Sequence, residues 1–448
     1  MPAASRDAAG TAYVVADHHQ DDDYTPYIFM TTDFGRTWKS IVGDLPKTAG
    51  WGHVVREDPR RHDILYFGSE LGLWISWDRG AHWVALRDDL PVVPVRDIQI
   101  HPRDNDLIVA THGRGLYVLD DITPLQQIRS AAGSDVTLFD VRNAVRWNFA
   151  NKDGNLGYRA WAGENPPYGA LVAYALKDSA KAVTITVTDA SGAVIRTIKK
   201  LPNKAGLNRT TWDLRFDAPE GGVERPSPDT PPPPKGPWHV YDRDVTLESF
   251  FTPPAPMVKP GQYTLTLDVD GRKLSKPVVV ELDPRYDLPP ADVVAQEKIG
   301  LSLRDLVGRV NGIVDNTNDL ITQLKALKQQ LDSAGRELAQ KDQAVALVDS
   351  TIKELTHFRD STLTRPEPVM GYRQYPRLRE EVTTVAGMVW RGIHAPTAGE
   401  MLRTTELKTE TDAAQVRLDR LIGTRIDAIN KLFGTTPRIL TPKTKVIS

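Results

Sequence analysis

The sequence predicts a mainly β protein with α structure at its C-terminal end: a partial β-propeller, an immunoglobulin-like β-sandwich and a helical bundle, in that order. Three observations carry this. Thr31-Thr32-Asp33-Phe34-Gly35-Arg36-Thr37-Trp38 and Ser76-Trp77-Asp78-Arg79-Gly80-Ala81-His82-Trp83 both read S/T-x-D-x-G-x-x-W, with Asp33 and Asp78 45 residues apart. In a second register Asp58-Pro59 and Gly72-Leu73-Trp74 recur as His101-Pro102 and Gly115-Leu116-Tyr117, each 43 residues on. Repeats of about 40 to 50 residues made of short strands are how propeller blades read. Beyond residue 289 the apolar spacing becomes helical.

Residues 1–132 hold about three blades. Blade one supplies strands at 13–16, 27–30 and 38–42, and no first strand is expected before Thr11. Blade two runs through 52–56, 64–67, 73–76 and 83–86, and blade three through 95–100, 107–110 and 116–119. These runs are β-branched and aromatic between Gly, Pro and Asp punctuation. Asp121 falls where a third box aspartate would be, in a box that has otherwise decayed. Three blades cannot close a ring of about four to eight, so a sheet face and a strand edge are left for upstream blades or self-association to cover.

From 133 to 288 a different β pattern follows. Val183 to Thr188 alternates, Asp189-Ala190-Ser191-Gly192 turns and Val194 to Ile198 returns, which predicts a hairpin. Leu207 to Phe216, Gly261 to Val269 and Lys273 to Leu282 are further strands, and short strands of this kind suggest an immunoglobulin-like sandwich. A proline-rich insertion at 219–260, including Pro231 to Pro234, is expected to be stiff and exposed. Residues 289–448 are read as a four-helix bundle and tail. Leu306, Val310, Ile313, Thr317, Leu320, Leu324, Leu327 and Leu331 alternate steps of 4 and 3, the seam of a coiled-coil-like helix. Gly335 breaks it. Leu338, Val345, Leu347, Ile352 and Leu355 carry a second helix; Tyr375-Pro376 opens a third and Pro396-Thr397 precedes a fourth, with Leu418, Leu421, Ile422, Ile426, Ile429 and Leu432 inward.

Composition narrows the function classes. A net charge of -2 gives no reason to expect nucleic acid or an anionic membrane as partner. Cysteine is absent, which removes disulfides, thiolate zinc sites and cysteine nucleophiles together. No run of about 18 apolar residues is present, so membrane insertion is not expected, and Met1 to Asp7 leads into no apolar export segment. No cofactor is implied.

In each box the short carboxylate is expected to bond backbone amides two residues on, Gly to supply a positive φ, and Trp to open the next strand and cover the turn with its ring. The box is thus a folding clip of Asp33, Gly35, Trp38 and of Asp78, Gly80, Trp83. On these residues, with Val95-Arg96-Asp97-Ile98-Gln99-Ile100-His101-Pro102, Thr111 to Asp121 and Ala162 to Ala170, the chain resembles the Asp-box (bacterial neuraminidase repeat) propellers, especially the large bacterial "glycosyl hydrolase" or sortilin-like proteins. The resemblance implies that this is the C-terminal portion of a longer periplasmic or secreted protein. It also implies that ligands meet the face formed by the turns between strands two and three, opposite the boxes.

That face would carry Asp17, His18, His19, Asp21, Asp22 and Asp23 from blade one, His53 and Glu70 from blade two, and Asp97, His112 and Arg114 from blade three. His112, Arg114 and His53 suit an anionic or hydroxyl-rich ligand. Glycoside hydrolysis needs two carboxyl groups about 5 to 9.5 Å apart, and Asp97 with Glu70 is the candidate catalytic pair. His18 and Asp22 are the candidates for a metal, against a solvated acidic loop as the plain alternative. Ala162 to Gly169 reads as a docking segment. Two functions are left open: a non-catalytic module binding protein, peptide or glycan, and a glycoside hydrolase with acid/base carboxylates at the propeller mouth.

Overall fold

The computed structural model describes residues 3–87, 89–148, 165–221, 255–333, 341–366, 375–433 and 439. The chain divides into two compact units. One is Met1–Asp213 with Gln262–Glu281, and the other is Leu214–Gly261 with Leu282–Ser448. The first holds the sheets and the second the long helices.

The first unit begins with three antiparallel meanders. Sheet 1 runs β1 (Ala3–Ala4), β2 (Ala12–His18), β3 (Asp23–Thr31) and β4 (Lys39–Ser40) in that order. Sheet 2 repeats the order with β5 (Gly52–Glu57), β6 (Leu65–Ser69), β7 (Gly72–Ser76) and β8 (Val84–Ala85). Sheet 3 has β9 (Val95–Ile100), β10 (Leu107–Thr111) and β11 (Leu116–Leu119). A first strand therefore does precede Thr11, pairing Ala3 with Tyr13 and Ala4 with Ala12. Two alanines carry no apolar alternation, which is why the pattern did not announce it. The strands expected at 38–42 and 83–86 shrink to two residues each.

Sheet 2 is filled on both faces because successive side chains point opposite ways. Val55, Leu65, Phe67 and Trp74 pack with Tyr13, Ile28 and Ile41 of sheet 1. Val54, Tyr66, Leu73 and Ile75 pack with Val95, Ile98, Leu107 and Val109 of sheet 3. At the end of sheet 3, Asp121 does not rebuild a box. It accepts from the Thr123 N–H at 3.1 Å and starts the short helix α1 (Thr123–Gln127). The fully buried Asp58 carboxylate ties that helix to sheet 2, accepting from Gln126 at 2.8 Å and from the Tyr66 hydroxyl at 3.0 Å.

Two more sheets complete this unit. One orders β12 (Val136–Leu138), β14 (Ala170–Leu176) and β17 (Gly206–Trp212); β14 pairs antiparallel with both neighbours. The other orders β13 (Ala144–Arg146), β19 (Arg272–Leu282), β18 (Gly261–Val269), β15 (Val183–Thr188) and β16 (Val194–Ile198). The hairpin of β15 and β16 turns where Asp189 accepts from Ser191 N and Ala193 N. Trp212 and Tyr263, with ring centroids 5.3 Å apart, join the two sheets. The strand expected through Phe216 stops at Trp212.

In the second unit, α2 (Pro290–Ser333), α3 (Lys341–Phe358), α4 (Leu378–Arg391) and α5 (Ala398–Leu421) share one apolar core with α6 (Asp427–Leu432). All eight seam residues from Leu306 to Leu331 are buried on α2. On α3 the expected face is corrected: Ala344, Val348, Thr351, Leu355 and Phe358 are buried, while Val345, Leu347 and Ile352 only flank the core. Ile422 and Leu432 likewise flank it. The described flanks of the 219–260 insertion are not exposed throughout. Ala255 and Val258 are buried, and Glu220 accepts from Asn311 on α2. Pro231 to Pro234, Gly335, Leu338 and Ala162 to Glu164 lie outside the described residues.

Candidate functional site

Both S/T-x-D-x-G-x-x-W stretches fold into the same clip. Asp33 accepts from Thr37 N at 2.8 Å and from the Thr31 hydroxyl at 2.8 Å, while Gly35 N donates to Thr31. Asp78 accepts from His82 N at 2.9 Å and from the Ser76 hydroxyl at 2.9 Å, while Gly80 N donates to Ser76. The carboxylate thus reaches the amide four residues on, not two. Phe34 and Gly35, like Arg79 and Gly80, take positive φ. The tryptophans part company: Trp38 is exposed near Gly35, whereas Trp83 is buried against Phe67 with its indole N–H on Ile41 O. Among the described residues, the side-chain hydrogen bonds these aspartates accept come from the clip and from Arg129.

The clips close the turns from β3 to β4 and from β7 to β8. In a meander the preceding turn, from the second strand to the third, lies at the other end. There the sequence-named residues gather in two sets. The first is aromatic: His19 stacks on Trp51 at 5.0 Å, Tyr24 tilts against Trp51 at 5.4 Å, and His53 meets its edge at 6.2 Å. Asp17 holds His19 at 2.6 Å, and its carboxyl lies below the ordinary value: slight burial pushes it up, but the backbone and ring N–H groups of His19 outweigh that.

The second set is polar. His53 Nε2 lies 2.8 Å from Glu70 Oε2, and its Nδ1 lies 3.2 Å from Arg96 Nη1, with Arg96 Nη2 3.8 Å from the same carboxylate oxygen. A guanidinium only donates, so Nδ1 accepts and Nε2–H donates to Glu70. His53 is therefore the neutral ring. Burial, chiefly, and the Arg96 charge hold its pKa below the ordinary histidine value against the pull of Glu70.

Two β-bulges aim this set. Gly52 pairs with Ser69 and Val54 with Gly68, leaving His53 unpaired in the ladder. Val95 pairs with Thr111 and Asp97 with Ala110, leaving Arg96 unpaired. His53 and Arg96 are 43 residues apart, so each is its own sheet's copy of one position. An extra residue bends the strand and redirects its side chain, and here consecutive sheets direct that residue to the same place. Close approach of the sheets requires Gly52 and Gly68: a Cβ on either would come within 2.7 Å of Val15 or Val95.

The remaining candidates are dispersed. Asp97 is bound by Arg56 at 2.7 Å and by Ile98 N, while Glu70 belongs to His53 and Arg96; no described side chain bonds both. His112 and Arg114 are exposed on the β10–β11 turn, and neither side chain has a hydrogen-bond or ion-pair partner among the described residues. His18 turns to Asp21 and Tyr27, and Asp22 to the Tyr24 hydroxyl. Among the described residues no three His, Asp or Glu side chains are grouped to hold a metal. Trp51, Tyr24, Arg96 and Arg56 were not singled out from sequence. The 43-residue register, carried back from Asp58, would have paired His53 with Arg96.

No protein-family model and no curated protein matches the chain. Among solved structures it is similar to an ancestral GH74 enzyme over 44% of its length, at 14% identity and a TM-score of 0.19, and spans 27% of that enzyme's chain.

Proposed function

We propose that the sheet unit is a partial Asp-box propeller serving as a binding module, with its ligand held where the His53 and Arg96 bulges of adjacent sheets converge beside Trp51. That convergence carries the reading. Aromatic rings with a few fixed polar groups are the usual make-up of a small-ligand site. Trp51, Tyr24 and His19 supply flat apolar surface, and Arg96, held by His53 and Glu70, supplies planar donors beside it, a combination suited to a saccharide more than to a peptide backbone.

Binding is favoured over glycoside hydrolysis by how the carboxyl groups are held: Asp97 is bound by Arg56 and by Ile98 N, Glu70 by His53 and Arg96, and no described side chain draws the two together as a pair across one scissile bond. The exposed Leu116 and Val118 on the outer face of β11 fit a further sheet of the same repeat, as an open propeller would require.

The test pairs oligosaccharide binding with aryl-glycoside turnover. Trp51→Ala should lose binding at least tenfold while keeping its denaturation midpoint within the error of the native protein. Turnover by the native protein that Asp97→Asn abolishes, with the fold intact, would replace this reading by the hydrolase.

A further inference from the structure

Resting on that binding reading, we infer that the ligand is an anionic saccharide and that Arg96 selects it. The hydrogen-bonding capacity of this edge is unevenly committed. Its carboxylates are occupied: Glu70 by His53, Asp17 by His19, Asp97 by Arg56. Arg96 keeps spare donors. Among the described residues its side chain, 47% exposed, makes one hydrogen bond, to His53, and pairs with Glu70 at 3.8 Å, beyond hydrogen-bonding distance. A guanidinium has five donors, and two of them match a carboxylate in a fork. His112 and Arg114 stand exposed on the neighbouring turn, free of side-chain partners among the described residues. A neutral polyol would need free acceptors as well as donors; an anion needs donors alone.

Placement agrees. The acidic residues of this edge, Asp21, Asp22 and Asp23, belong to the β2–β3 turn of sheet 1 and face His18, Tyr24 and Tyr27. The half-exposed Arg96 and the exposed Arg114 belong to sheet 3 and its turn. The sugar ring is therefore assigned to the Trp51 side and its charged substituent to the Arg96 side. His53 and Glu70 are positioning residues: the neutral ring, 7% exposed and anchored by Glu70, accepts one Arg96 N–H and orients the rest outward.

Native protein, Arg96→Gln and Arg96→Lys are applied to an array of uronic-acid, sialylated, sulfated and neutral oligosaccharides, with acidic and neutral peptides alongside. Binding should concentrate on anionic saccharides, the acid type telling carboxylate from sulfate. Arg96→Gln should weaken anionic binding at least tenfold and lower the ratio of anionic to neutral binding, and Arg96→Lys should fall between, since it keeps the charge and loses the fork. Neutral saccharides bound by the native protein as tightly as anionic ones, or an unchanged ratio of anionic to neutral binding in Arg96→Gln, would overturn the anionic assignment and leave the binding reading standing. Binding to peptides alone, or to nothing, would overturn both. If Arg96→Gln does not fold, the Arg96→Lys ratio of anionic to neutral binding decides: an unchanged ratio rejects the selecting role.

Discussion

Gly35 and Gly80 occupy the same place in two copies of one clip, so the same substitution should have two different costs. Their φ angles are alike, 83° and 89°. An added methyl at either meets the left-handed penalty for an L residue, about 1 to 2 kcal/mol. Around Gly35 there is space: its new Cβ would lie 3.8 Å from the Trp38 ring, an ordinary contact. Around Gly80 there is none, since the Cβ would lie 2.5 Å from Ile41 O and 2.9 Å from Ile41 Cβ. Ile41 belongs to the core between sheets 1 and 2, so relief means shifting backbone within a packed seam, and overpacking of that kind adds about 1 to 3 kcal/mol. Gly35→Ala should therefore cost about 1 to 2 kcal/mol and Gly80→Ala about 2 to 5. Urea titration of the sheet-unit transition, followed by tryptophan fluorescence, measures both at fixed m-value. Equal losses would show that the clip's conformation alone sets the cost and that the contact with Ile41 contributes nothing.

Other outcomes follow from the same geometry. Asp78 is held well below the usual carboxylate value: burial pushes it up, but the ring and backbone N–H of His82, the Ser76 hydroxyl and Arg129 outweigh it. A group depressed in the folded state stabilises above its unfolded value of about 3.9 and loses that contribution as pH falls. The His82 ring is raised by Asp78, so its share is lost as pH climbs through its folded value. The midpoint difference between native protein and Asp78→Asn should thus be widest between about pH 4 and about pH 6.5, the unfolded values of the two groups, and close on acidification below about 4. Leu324→Ala, at a fully buried seam position, should cost the helical unit about 2 to 5 kcal/mol, and Leu347→Ala, which only flanks that core, clearly less; calorimetry checks the order. Thr397→Ala removes a capping box with Glu400 and should cost about 1 kcal/mol by the same measurement.

What the sequence made legible depended on whether burial was one-sided. The α2 seam was readable because one stripe is buried and the rest is wet. On α3 large side chains misled: the buried face includes Ala344 and Thr351, while Leu347 and Ile352 sit at its margins. β14 escaped notice because Ala170 to Leu176 is buried on both faces, which erases alternation. At the candidate site the histidines and carboxylates were visible as residue types. Their grouping depended on two bulges, and a bulge is an irregularity of register that leaves no compositional trace beyond the repeat spacing itself.

Sheet 2 carries both devices of the repeat, at its opposite ends, while sheet 1 has the clip and sheet 3 the first-strand bulge. The clip fixes the turn from the third strand to the fourth, and the bulge sits near the start of the first strand, beside the turn from the second to the third. Stability and recognition should accordingly come apart on mutation. Gly80→Ala disturbs the seam at the clip end, so its folded fraction should bind saccharide with native affinity. Arg96→Gln removes a half-exposed side chain with one internal hydrogen bond, so it should melt within about 0.5 kcal/mol of the native protein while losing anionic ligands. Affinity and stability falling together in both variants would mean that the sheets move as one body and that the bulged edge is only another part of the packing.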